Sequence, residues 1–147
     1  MRNVTCCLLV VLFGSWSSSL GQNASRKFTS PKIVATFERL GQTHEMKPVT
    51  LYTPPQWGTF RVSVVMVLTV PGATGEFWYG GLQFVDAAGV NCCGAYNVAL
   101  QSTIRGSAFG EFPIRARAGK PIKFSVQPGG DNSGSKYNVW VVVEQLM

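Results

Sequence analysis

From Phe60 to Val70 the chain alternates, with Phe60, Val62, Val64, Met66, Leu68 and Val70 on one side and Arg61, Ser63, Val65, Val67 and Thr69 on the other. A period of two held over eleven residues predicts a β-strand, bounded by the turn-rich Thr53-Pro54-Pro55-Gln56-Trp57-Gly58 and by Pro71-Gly72. Val65 and Val67 make the second side apolar as well, which points to a central strand whose second face is partly covered. The same period places Ile33, Ala35 and Phe37 on one face of a strand over Lys32 to Leu40, and predicts strands around Val49 and Leu51, over Trp78 to Val85 and over Tyr96 to Ile104.

Near the C-terminus Phe112, Ile114 and Ala116 alternate with Pro113, Arg115 and Arg117, and the pattern resumes at Ile122, Phe124 and Val126. This reads as a hairpin with a three-residue loop, in which Gly119 takes positive φ, Ala116 pairs with Ile122 and Ile114 with Phe124. Arg115 then faces Lys123, the two either splayed into solvent or holding an anion. The glycine-rich Gln127 to Ser135 reads as a loop, with Asp131 to Ser135 flexible, before a last strand, Tyr137 to Leu146, apolar on both faces. No stretch carries a helical period. About eight short strands with Gly and Pro between them predict an all-β, single antiparallel sandwich of jelly-roll type.

Gly58-Thr59-Phe60-Arg61-Val62-Ser63, Ala118-Gly119-Lys120-Pro121-Ile122-Lys123-Phe124 and Tyr137-Asn138-Val139-Trp140-Val141-Val142-Val143-Glu144-Gln145-Leu146 resemble the frame of uncharacterised secreted bacterial proteins. In layout they are also similar to jelly-roll domains of the tumour necrosis factor and complement globular-head type. The second resemblance implies a homo-oligomer, a trimer by analogy of fold.

The N-terminus changes the picture. Met1-Arg2-Asn3 is followed by the apolar run Val4 to Phe13 and by Ser19 and Gly21, which suit a cleavage site, so residues 1–21 read as a signal peptide. The run is about half the length that spans a bilayer. Cleavage leaves 126 residues: a lead-in over residues 22–30 and one domain over residues 31–147, secreted or periplasmic. Cys6 and Cys7 leave with the leader, so a disulfide framework is excluded. Twelve Lys and Arg then face seven Asp and Glu, a mild excess without a cationic run, and no nucleic-acid partner is expected. Asn23-Ala24-Ser25 has the form of a glycosylation acceptor at Asn23.

Candidate chemistry is sparse. His44, the one histidine, lies in a polar connection and reads as solvated; a catalytic triad or zinc motif finds no support there. Asp131-Asn132-Ser133-Gly134-Ser135 lacks the spacing of a calcium loop. No cofactor or metal is expected. Glu38, Glu111 and Glu144 are expected to face outward. Aromatic side chains give the best binding hint: Trp57 in a turn, Trp78 and Tyr79 early in a strand, and Trp140 on the second face of the last one, with Trp78 and Trp140 more readily explained as core or rim. The candidate ligand residues are Trp57, Trp78, Tyr79, Arg115, Arg117 and Lys123, for an extracellular glycan or an anionic ligand. Two functions follow: a non-enzymatic exported module for binding, adhesion or assembly, or a small hydrolase using two carboxylates on glycans. Cys92 and Cys93 are adjacent in an oxidising compartment, and a vicinal disulfide, two free thiols and intermolecular bridges all stay open.

Overall fold

The computed structural model describes residues 30–73, 75–92 and 96–146. The signal-peptide reading, Asn23 and Cys93 lie outside these residues. Nine strands follow in order: β1 (Lys32–Gln42), β2 (Met46–Tyr52), β3 (Gly58–Val70), β4 (Phe77–Val85), β5 (Asn91–Cys92), β6 (Tyr96–Gln101), β7 (Gly106–Ala116), β8 (Ile122–Pro128) and β9 (Lys136–Gln145). All pairings are antiparallel.

One sheet has the order β1-β9-β3-β7; the other runs β2-β8-β4, with β6 and the two-residue β5 both paired to β4. Every connection between the eight long strands crosses to the other sheet except β4 to β6. That interleaving of two Greek keys is the jelly roll, so the fold class read from the alternation holds. The central strand behaves as predicted on its inner side: Phe60, Val62, Val64, Met66 and Leu68 are buried. They meet Tyr137, Val139, Val141 and Val143 of β9 and, from the facing sheet, Trp78, Leu82, Ile122, Phe124 and Val126. Burying such a side chain stabilises the fold by roughly 1.5–3 kcal/mol.

The hairpin is corrected. β7 pairs with β3 and β8 with β2 and β4, so Ala116 lies opposite Gly58, and Arg115 opposite Thr59 rather than near Lys123. Residues 117–121 form a corner between sheets: Arg117 N–H donates to Val85 O and Gly119 N–H to Pro54 O, at 2.9 and 2.8 Å. Ala116 and Ile122 both enter the core, from opposite sides. Side-chain alternation is the same for a hairpin and for such a corner, so periodicity could not separate them. Gly119 does take positive φ, 68°.

One further expectation changes. A bulge at Val34 separates the pairs Ile33–Glu144 and Ala35–Val143, turning Val34 toward the core and leaving Ile33 58% exposed. The second face of β3 is only half-buried, by neighbours in its own sheet: Arg61, Ser63 and Val67 are intermediate and Val65 is 40% exposed.

Candidate functional site

The jelly roll gathers its loops at two ends. At one lie the β2–β3 loop with Trp57, the β7–β8 corner and the chain after β4; at the other lie the β3–β4, β6–β7 and β8–β9 connections. The six candidate ligand residues divide between these ends, the outer faces and, for Trp78, the core.

Trp57 is held outward by its neighbours. Pro54 is buried, its carbonyl fastened to Gly119, and Gly58 is buried at the start of β3, so residues 55–57 must bulge into solvent. The indole is 63% exposed. Thr59, two residues on, points to the same outer side, and its cross-strand partner is Arg115, whose guanidinium carbon lies 5.8 Å from the centre of the Trp57 ring. Gln56, Trp57, Thr59 and Arg115 line a cavity of about 600 Å³. Next along β3, Arg61 is already paired, its Nε donating to Glu144 Oε2 at 2.6 Å, and that carboxylate holds the guanidinium more firmly protonated. The only ion pair among the described residues is this one, so Arg115 is left without a carboxylate. Trp57 and Arg115 therefore do come together.

The other candidates do not join them. Arg117 lies at the same end but lays its guanidinium over Gly89, where a Cβ would collide with it. Lys123 lines a separate cavity of about 440 Å³ with Gln83, Phe84, Val85, Asn91, Cys92 and Pro121. Cys92 is disulfide-bonded, which removes the free-thiol alternative for that residue. Tyr79 stands on the outer side of its sheet with its ring 5.8 Å from that of Phe77. Trp78 is 2% exposed and stacks 4.8 Å from Tyr137, so it is core. Burial pushes the Tyr137 hydroxyl far above its ordinary range, and it donates to His44 O at 2.9 Å, while the His44 side chain itself is exposed.

The loop before β9 is fastened by two buried side chains, Asn132 and Ser135, while the residues around them are exposed. Asn132 Nδ2 donates to Phe77 O at 2.8 Å, and its Oδ1 accepts from the Glu76 amide at 3.2 Å. Ser135 Oγ accepts from Trp78 Nε1 at 2.9 Å and donates to Asn132 O at 2.6 Å. Gly75, at φ 125°, fits against Asn132 Oδ1 and Ser102 Oγ where no side chain would.

The carboxylates are dispersed. Glu38 accepts from Trp140 Nε1 at 3.0 Å, Glu144 holds Arg61, Asp86 accepts from Val90 N–H at 2.8 Å, and Asp131 from Ser133 N–H at 3.0 Å. Glu144 is thus tied down rather than solvated. Neither the Trp57 nor the Lys123 cavity has a carboxylate among its described lining residues, so the two-carboxylate hydrolase finds no pair there.

A feature the sequence left unnoticed is the outer side of the β1-β9-β3-β7 sheet. Register places Glu38, Trp140, Val65 and Phe109 in one row across four strands, and Thr36, Val142, Ser63 and Glu111 in the next. Phe109 is 81% exposed. Its strand begins among glycines and small residues, which hid it, but the apolar second faces of β3 and β9 were a signal.

No family model and no curated protein sequence matches the chain. Among solved structures it is distantly similar in fold to the globular domain of the zebrafish complement 1qA protein, at 13% identity over 77% of this chain and 96% of that one, with a TM-score of 0.48. It is also similar to the Eiger TNF of S. frugiperda, at 11% identity over 79% and 94%, TM-score 0.46. A third is the infectious bursal disease virus Gx strain, at 12% identity over 78% and 30%, TM-score 0.39. Among the described residues no helix is long and apolar enough to cross a membrane.

Proposed function

We propose that the protein is an exported, non-enzymatic structural module that self-associates through the outer side of its β1-β9-β3-β7 sheet. One observation carries this reading. β3 and β9 have the composition of strands covered on both faces, with Val65, Val67, Trp140 and Val142 on the second, yet the fold buries only the first: on the second, Val65 is exposed and the other three are half-buried. Phe109, projecting beside Val65, extends the apolar row to the edge strand.

Two of the charges on this side are held within the chain, Glu38 by Trp140 and Glu144 by Arg61, while Glu111 and Arg115 lie further along the same side on β7. A second copy centred on the Glu38–Phe109 row would therefore bury little unpaired charge in that row. Four strands of 10 to 13 residues give a surface of roughly 600 Å², approaching the ~800 Å² per partner of a stable interface. Export rests on the sequence of residues 1–21 and places the assembly outside the cytoplasm.

Light scattering on the purified protein tests the reading. The wild type is expected to run as a dimer or larger closed assembly whose melting temperature rises with protein concentration, and Phe109→Glu as a folded monomer whose melting temperature does not, because Phe109 takes no part in the core. A monomeric wild type at tens of micromolar, or a variant of unchanged mass, overturns it. Recovery of a secreted chain beginning near Gln22 checks the export arm.

A further inference from the structure

The Trp57–Arg115 cleft lies at one end of the same sheet face, six residues along β7 from Phe109, and we propose that it binds a pyranose bearing an acidic group, carboxylate or sulfate. The chemistry of its walls is complementary to such a ring. An indole face receives the C–H face of a sugar, and a guanidinium presents donors in a planar fork that matches an anionic group. The Arg115 guanidinium carbon lies over the Trp57 ring, 5.8 Å from its centre and within cation–π reach, so the cation shares one indole face and a sugar would take the rest of the exposed ring beside it.

The rest of the cleft agrees. The Gln56 amide and the Thr59 hydroxyl offer neutral partners for ring hydroxyls, no carboxylate among the described residues lines the cleft, and Arg61 alongside is neutralised by Glu144. Arg115 is thus the charge that an incoming anion meets. The cavity of about 600 Å³ accommodates one or two sugar units. The walls are also fixed beforehand: Thr59 and Arg115 are cross-strand neighbours, and the β2–β3 loop is fastened through Pro54 O to the Gly119 amide at 2.8 Å. Binding therefore orders little that is not already ordered. Among the described residues that line it the cleft has one aromatic wall and no second ring to sandwich a nucleobase, which favours a sugar over a nucleotide.

Isothermal titration of the purified protein tests this with four probes: trigalacturonate, a sulfated chondroitin disaccharide, neutral maltotriose and AMP. At least one of the two acidic sugars is expected to bind roughly tenfold or more tighter than maltotriose, as loss of a charge-assisted hydrogen bond would give; which one identifies the acidic group. Trp57→Ala and Arg115→Gln should each weaken that probe by roughly tenfold, and Lys136→Gln, at the opposite end, should leave it unchanged. The proposal is overturned if neither acidic sugar binds, if maltotriose binds equally, if AMP binds tighter than both, or if Lys136→Gln weakens binding as much as Arg115→Gln. The assembly reading is probed by Phe109→Glu alone, so either can fail without the other.

Discussion

The two tryptophans at opposite ends of the sandwich were alike as candidates and are unlike in surroundings. Trp78 Nε1 donates to Ser135 Oγ, its ring stacks on Tyr137, and the loop above it is clasped by Asn132. Trp57 has a bare indole beside a guanidinium that no carboxylate satisfies. The contrast shows how one residue type serves stability where its polar edge is paired and enclosed, and recognition where it stands open next to an unpaired charge.

The largest expected effect comes from exchanging each ring for alanine. Trp78→Ala empties a core position and strands Ser135 Oγ, and should lower unfolding stability in urea by about 3–5 kcal/mol. Trp57→Ala removes surface only and should stay within about 0.5 kcal/mol of the wild type. Equal losses at the two positions would erase the distinction between the ends.

The clasp itself comes next. Asn132→Ala leaves the Phe77 carbonyl and the Glu76 amide without their side-chain partner and should cost about 1–3 kcal/mol. Hydrogen exchange at the Glu76 amide localises the effect: it should accelerate in the variant, whereas unchanged protection would mean that Asn132 does not hold the loop.

Much of this was legible in the residues, and the losses have identifiable causes. The burial of alternate residues in β3 and β9 follows from a period of two, and the exposure of Trp57 from Pro54-Pro55 before it and Gly58 after it. The Asn132 clasp was hidden because its partners, Phe77 at the start of β4 and Glu76 just before it, stand 55 and 56 residues away, while local composition shows only glycine and small polar residues. The cleft was half visible. Trp57 and Arg115 could each be named, but their meeting depends on β7 pairing with β3, and the alternation of Ile114 and Ala116 with Ile122 and Phe124 fitted a hairpin equally well. The bulge at Val34 shifts Ile33 outward for a reason that lies in the β1–β9 register and not in β1 alone.

The smallest effect concerns the exposed rim of the clasped end. Hydrogen bonds from Ser133, first its hydroxyl and then its amide, hold the Asp131 carboxyl below the ordinary carboxylate range. A carboxyl depressed in the folded state contributes stability that is present above its unfolded pKa, about 4, and is lost as pH falls through the folded value. The clasped end should therefore loosen slightly on the acid side of pH 4. Carboxyl-detected NMR titration of Asp131 reads this directly. Its midpoint should lie below the ordinary value in the wild type and rise part of the way back in Ser133→Ala, which keeps the amide donor but removes the hydroxyl. A wild-type midpoint at or above the ordinary value would show that Ser133 does not hold the carboxylate, and that the clasp ends at Asn132.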